Sequence, residues 1–435
     1  MSNRAKVAFV GAGSFVFGPT LLSQCIVENR IEGVCWHLFD PNVEAVELMA
    51  SVGKRMADLA GVSAVFDSSS DLDAALDGAD FVVCCAAVDM NRRFLIDREI
   101  IQRIYPEHLI SEFGGVNGIS SSVRQMTMMK GLAFAIGRNC PSATLLNISN
   151  PLPRVCQMAH DAGVDTVGFC SVSLAGFGKL HEIFHGGQIE FPFAAAREEF
   201  EVEMGGTNHL SWLVSLRDRA TGKDLLPELQ TRLGERKESV ASKCEEYGRR
   251  TGHLLMPGDG HVQDFLPLDG LEHSLGAVSH GSEEQRRSRL KQLEEVAAGR
   301  ADASTLLGAP SWERPSDFIS ARLEAKPCQF TSLNLSNRGQ IPELPQGMFV
   351  ETAATVDGSG ARADRLSLPV SVVPYAESAV EINGVLAEAV RAQDPALVHQ
   401  AVELDPTIGD KEAGHRAIGE CLAAHGDVIG GWVGG

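Results

Sequence analysis

The sequence predicts an α/β protein, with a doubly wound parallel sheet at the N-terminus and an α+β domain after it. Three observations carry this. Strand-like and helix-like segments alternate through the first 170 residues, and the early strands are almost wholly apolar. The first strand also runs directly into the turn Gly11-Ala-Gly13-Ser14. Near-continuous apolar strands belong to a sheet buried on both faces, as in parallel sheets covered by helices. With 435 residues the chain exceeds what one core usually supports, and its pattern changes near residue 198. The expected division is therefore 1–198 and 199–435.

Taken in order, Lys6–Val10 is a short apolar strand. Phe17–Glu28 reads as a helix with Leu21, Leu22, Cys25 and Ile26 on one face. Cys35–Phe39 is a second strand, ending at Asp40. Val43–Leu59 is amphipathic and helical, and a further strand starts at Ala64–Phe66. A short acidic helix, Asp71–Leu76, precedes the buried run Phe81–Ala87. Thr144–Ile148 and Val167–Cys170 are β-like, each followed by a polar loop. Beyond 198, Glu199–Met204 and His209–Leu216 read as strands, and Gln285–Ala298 as a solvated helix. Ala376–Ala392 and Pro395–Val402 read as helices that pack back on the body or on another subunit.

Charge narrows the partners. The net charge is −19, from 38 basic and 57 acidic residues, which argues against nucleic acid and against anionic membranes. No secretory leader and no membrane-length apolar run stand out. The ten cysteines are scattered without a Cys-x-x-Cys pair, as suits a reducing, cytoplasmic setting.

The first strand and its glycines make a Rossmann-type dinucleotide site. Gly11 and Gly13 let the backbone approach a pyrophosphate where the following helix presents free N–H groups. Val16 replaces the usual third glycine. Asp40, at the end of the second strand, suits the ribose hydroxyls and repels a 2′-phosphate, which favours NAD over NADP.

Several motifs then follow in a recognisable order: Gly11-Ala-Gly-Ser-Phe-Val-Phe, Asn147-Ile-Ser-Asn-Pro-Leu-Pro, Gly168-Phe-Cys-Ser, Thr207-Asn-His, and Asn337-Arg-Gly-Gln-Ile-Pro-Glu-Leu-Pro with Phe349-Val-Glu. In these the chain resembles glycoside hydrolase family 4 over nearly its whole length. That family is the NAD-dependent exception to two-carboxylate glycoside hydrolysis. The resemblance implies cleavage of a glycosidic bond through oxidation at C3, deprotonation at C2, elimination, water addition and re-reduction. It also implies NAD and a divalent metal, typically Mn²⁺, as cofactors. The partner implied is a small glycoside, and the assembly a homodimer or homotetramer.

The resemblance places Gly11, Gly13, Ser14, Phe15, Asp40 and Asn147 at the cofactor. Cys170 and His209 become the metal ligands, although their softness alone suggests zinc or ferrous iron. Asn150, Asn208, Glu112 and Arg92 are expected at the substrate, Arg92 within a basic run that includes Arg93, Arg98 and Arg103. The C2 base is expected in Pro257-Gly-Asp-Gly-His-Val-Gln-Asp, with Asp259 first, Asp264 second and His261 as a partner. Ser171 stands where relatives carry a stronger acid, so Glu112 or His181 would have to supply the proton, or the leaving group depart unaided. The stretch from Glu112 to Gly118 also departs from the family form. Rival readings are a 2-hydroxy-acid dehydrogenase, a metal-dependent sugar dehydrogenase or epimerase, and a non-catalytic NAD sensor.

Overall fold

A computed structural model of the chain describes residues 5–236, 241–267, 283–307 and 311–430. Six strands pair in parallel: β1 (Lys6–Val10), β2 (Cys35–Phe39), β3 (Val65–Ser69), β4 (Phe81–Cys84), β5 (Thr144–Asn147) and β6 (Asp165–Gly168). Their order in space is β3-β2-β1-β4-β5-β6. The α/β class read from the apolar strands is the class observed. β1 and β4 are both buried almost throughout because helices cover each face.

The sheet continues past β6. Five more strands are β7 (Phe200–Thr207), β8 (Leu210–Asp218), β9 (Cys328–Ser336), β10 (Phe349–Asp357) and β11 (Gly360–Ala363). β9 joins β6 antiparallel at Gly168 opposite Asn334, and β10, β7 and β8 follow outward. Parallel pairing thus gives way to antiparallel pairing within one sheet.

Two expected elements end early, for reasons that lead to the site. The apolar run Phe81–Ala87 leaves the sheet after Cys84, and its next residues pass close to the β1 turn. The strand expected to reach Cys170 stops at Gly168, after which Phe169 N–H bonds Asn147 O at 2.8 Å. The helix expected over Phe17–Glu28 is α-helical to Ser23 and widens to a π-helical turn over Gln24–Glu28. Both ends of that turn are tied across the fold, Gln24 to Glu313 O at 2.9 Å and Asn29 to Asp317 at 2.8 Å.

One face of the parallel half packs on Leu22, Met49, Val52 and Phe66. The other is covered by helices Gly115–Asn139 and Leu152–Asp161. Helices Val373–Ala392, Pro395–Leu404 and Lys411–Ala424 pack outside these, so the final segment folds back on the body of its own chain. The attachment is polar as well as apolar. Arg154 donates to Asn383 at 2.7 Å, Arg93 pairs with Asp427 at 2.6 Å, and Arg103 pairs with Glu420 at 2.5 Å. No helix among the described residues is long and apolar enough to cross a membrane.

Candidate active site

The carboxyl ends of β1, β4, β5 and β6 open on one crevice, the usual position of ligands in open α/β sheets. Gly11 has φ +85°, and a Cβ there would lie 2.7 Å from Ala86 N, so the β1 turn and the β4 turn meet only through a glycine. Gly13 N–H donates to Asp40 Oδ2 at 3.1 Å, which fixes the acidic side chain beside the turn. Ser14 Oγ accepts Phe17 N–H at 3.2 Å and starts the helix, and Phe15 packs partly buried on the core beneath. Asn147 is placed differently from its expected cofactor role. It is fully buried, and its amide is spent on Ser149, donating to O at 2.9 Å and accepting N–H at 3.2 Å. It shapes the turn that carries Asn150 and Pro151.

Asn150 reaches the centre of the crevice. Its Nδ2 donates to Glu112 Oε1 at 2.9 Å, while its Oδ1 is buried without a partner in the structure. An unmatched buried amide oxygen costs about 1–3 kcal/mol unless a ligand supplies a donor. Glu112 lies with Phe113 ahead of helix Gly115–Asn139. Gly114 is required here, because a Cβ on it would fall 1.8 Å from the Asp264 carbonyl oxygen. That close approach brings the Glu112 loop against the 259–264 segment. Burial first, and then the neighbouring Asp264 charge, push the Glu112 carboxyl above its usual range.

Cys170 and His209 meet. Sγ lies 3.3 Å from Nε2, and both residues are buried. His209 takes a left-handed backbone, φ +67°, in the tight turn between β7 and β8, and its ring packs between Phe113 and His261 at 4.1 Å from each centroid. Glu112, His209 and His261 each offer a ligand atom within 4.8 Å of the others. Burial pushes the Cys170 thiol up and the His209 imidazole down.

His261 Nδ1 lies 3.1 Å from Asp264 Oδ2, and Asp264 Oδ1 accepts Glu112 N–H at 3.2 Å. With Nδ1–H donated to Asp264, Nε2 of His261 is left for a proton. Burial opposes the imidazolium, but the bond to Asp264 and the charges of Asp264 and Glu112 outweigh it and raise the His261 pKa. Asp259, the first choice from sequence, faces elsewhere. It accepts Cys244 N–H at 2.9 Å and pairs with Lys243 at 3.4 Å, at the start of helix Ser242–Thr251. Lys179, buried, bonds Leu255 O at 2.5 Å and also Pro257 O, and so pins the stretch that leads into this segment.

Three further expectations separate from the cluster. Ser171 opens a 3-10 turn and faces a groove lined by Phe191, Arg197, Trp312 and Arg314, away from the cavity of Glu112 and Asn150. Arg92 pairs with Asp89 at 3.1 Å, both exposed, and does not line that cavity, while Arg93 and Arg103 bind the C-terminal helices. Arg93 and Arg103 therefore serve internal docking, to partners 334 and 317 residues away in sequence and invisible to local reading. His181 sits on helix Ala175–His185 with His185, near Glu199 and outside the cluster.

Asn208 stands where expected, donating to Glu351 Oε2 at 3.0 Å and to Cys170 O at 3.3 Å, with its Oδ1 buried and unpartnered. Glu351, noted in the sequence only as part of the Phe349-Val-Glu motif, had no role assigned from it. It is 1% exposed on β10 and accepts from Ser173, from Asn208, from Ser211 at 2.8 Å and from Asn334 at 3.3 Å. Four strands or turns converge on that carboxylate. Arg124 was also missed. It is buried in helix Gly115–Asn139, lines the cavity with Asn117 and Asn150, and pairs with buried Asp97 at 2.7 Å. An arginine within a long apolar helix was the available sign.

Fold and cluster together define a class, an α/β enzyme with a dinucleotide-type crevice beside a thiol, imidazole and carboxylate set. Within it, the chain belongs to family 4 of the glycosyl hydrolases. The Family 4 glycosyl hydrolase model matches residues 6–184, and the model of the family's C-terminal domain matches 204–408. The chain is accordingly a glycosidase. It is 24% identical to an alpha-galactosidase of Bacillus subtilis (strain 168) over 98% of this chain and 99% of that one. It is 23% identical to an alpha-galacturonidase of Thermoanaerobacter italicus over 80% of each. Its fold matches that of a 6-phospho-alpha-glucosidase from gut microorganisms in complex with NAD and Mn²⁺, with TM-score 0.77, 18% identity and 97% and 98% coverage.

Proposed function

We propose that this glycosidase is NAD- and divalent-metal-dependent and hydrolyses a small glycoside by the redox-neutral route of C3 oxidation and C2 deprotonation. The observation that carries the reading is the convergence of Cys170, His209, Glu112, His261 and Asn150 at the carboxyl edge of β5 and β6. The residues present fit both groups. The Gly11 turn suits a nucleotide, with glycines that let its backbone pass against Ala86 and a Gly13 N–H that holds Asp40 beside it. Cys170 and His209 are two buried donors already within 3.3 Å of each other. Bound here, NAD offers reversible hydride exchange and a divalent ion offers stabilisation of negative charge on sugar oxygens.

The chain's own residues do the rest. Asn150 and Asn208 each present an unpartnered amide oxygen to orient a sugar hydroxyl. His261 Nε2 moves the C2 proton, held in orientation by Asp264, so Asp264 acts as a positioning residue. Glu112, buried beside Asn150, delivers the proton to the leaving oxygen in place of Ser171. Glu351 positions Asn208. Arg124, the cation lining the cavity among the described residues, is already neutralised by Asp97, which supports an uncharged sugar over a phosphorylated one. Along the chain, residues 1–198 carry the nucleotide half and 199–435 the remainder of the site. Phe134 and Leu95, 71% and 58% exposed, supply apolar surface for a homodimer or homotetramer, which sedimentation would resolve, and the chain works in the cytoplasm.

The test uses reduced protein with NAD and Mn²⁺ against aryl α- and β-glycosides, uronides and 6-phosphates, with aglycone and NADH read together. Chelator-sensitive release without NADH accumulation is expected. Stoichiometric NADH without release would replace this reading with that of a sugar dehydrogenase.

A further inference from the structure

Helix Ala175–His185 ends in His181-Glu182-Ile183-Phe184-His185, and His181 and His185, four residues apart, share one face. Their ring centroids are 5.0 Å apart. Glu199, the last residue before β7, places its carboxylate 2.8 Å from His185 Nε2. One ligand atom from each of the three lies within 4.8 Å of the others. Nδ1 of His181 is buried with no hydrogen-bond partner in the structure, so this ring has a polar atom that the fold leaves unmatched. None of the three residues belongs to the cluster at Cys170.

We propose that His181, His185 and Glu199 form a second metal site, selective for zinc over manganese. Two imidazoles and one carboxylate, with the second histidine one turn after the first, are a three-ligand zinc set that leaves a position for water. Imidazole donors favour zinc, whereas manganese prefers an oxygen-rich shell. The spacing also matches that of zinc peptidases, in which the intervening glutamate acts as base. Here Glu182 is held by Arg236 at 2.7 Å and is largely buried, so the site binds metal without that activity. Its position gives it a structural consequence. The helix begins five residues after Cys170, and β7 ends two residues before His209. A zinc ion would cross-link the two segments that carry the proposed catalytic ligands.

The site is tested in full-length Cys170→Ser protein, which removes the competing thiolate. Equilibrium dialysis against zinc chloride in excess Mn²⁺ is expected to show uptake of one zinc per chain and a rise in melting temperature. Both are lost when His181→Ala and His185→Ala are added, with circular dichroism unchanged. Glu199→Gln, a milder change at a partly exposed residue, weakens uptake in the same direction. Absence of zinc uptake by the Cys170→Ser protein, or uptake that survives the histidine substitutions, overturns the proposal. Neither result bears on hydrolysis at the Cys170 cluster.

Discussion

At the scale of single residues, the roles proposed for the cluster separate cleanly by substitution. Glu112→Gln keeps the bond to Asn150 within reach but removes the proton. Turnover of glycosides with sugar or alkyl leaving groups should fall by about 10²–10⁴-fold. A 4-nitrophenyl glycoside, whose aglycone departs unprotonated, should be affected far less, and equal losses on both would remove Glu112 from that role. The two aspartates make a second pair. Asp264→Asn should abolish exchange of the C2 proton with solvent, because His261 loses the carboxylate charge that orients it and raises its basicity. Asp259→Asn should retain exchange and instead weaken the start of helix Ser242–Thr251. Deuterium wash-in followed by mass spectrometry distinguishes them, and the reverse pattern would restore Asp259 as base. Cys170→Ser should bind NAD and fold normally but lose metal-dependent turnover.

At the scale of elements, His108 gives the fold a pH response. Its Nε2 accepts Val116 N–H at 3.0 Å at the start of helix Gly115–Asn139, its ring stacks on Tyr105, and Asp405 is the charged group that acts on it. Burial lowers its pKa from 6.5 to about 4, with Asp405 opposing. The unfolded chain therefore binds this proton more readily than the folded one. Stability is complete above pH 6.5 and declines by about 3 kcal/mol as pH falls toward 4. Urea unfolding between those limits should show the decline, and His108→Gln should flatten it. A slope unchanged in the variant would place the titration elsewhere. The elements themselves were mostly legible in advance, since β1 and β2 follow from apolar runs that end in glycine or aspartate. Asp259 misled because its partners, Cys244 and Lys243, lie 15 and 16 residues away in sequence, whereas the partner of Arg92, Asp89, is only three residues away. A carboxylate in a glycine-rich loop looks equally free whether it faces a cavity or caps the helix behind it.

At the scale of the molecule, the sheet joins the two halves that composition separates. β6 pairs with β9, while helix Val373–Ala392 packs on helices of the first half, so neither half buries its surface without the other. Residues 1–198 expressed alone should fail to give a cooperative unfolding transition. The intact chain should unfold in one, by circular dichroism and tryptophan fluorescence alike. Two separated transitions would show that the halves are independently stable. Asp97 ties the ends of this arrangement together, forming an ion pair with Arg124 at 2.7 Å and bonding His425 at 2.8 Å. Asp97→Ala leaves buried Arg124 unpaired and should cost about 3–5 kcal/mol. The family resemblance was legible because its motifs sit in turns, where backbone geometry restricts the residues. The role of Glu351 stayed unread, although its motif was recognised, because one glutamate in a strand carries no mark of the four donors around it.

The docking of residues 411–429 onto the helix that bears Arg93 and Arg103 also bears on the order in which the chain is made. That same helix contributes Met90 and Phe94 to the cavity wall. Before residues 411–429 are made, the nucleotide turn is already present, but the helix that forms this wall lacks the ion pairs of Arg93 with Asp427 and Arg103 with Glu420. A chain truncated before residue 411 is therefore expected to be a poor enzyme whatever cofactor it meets.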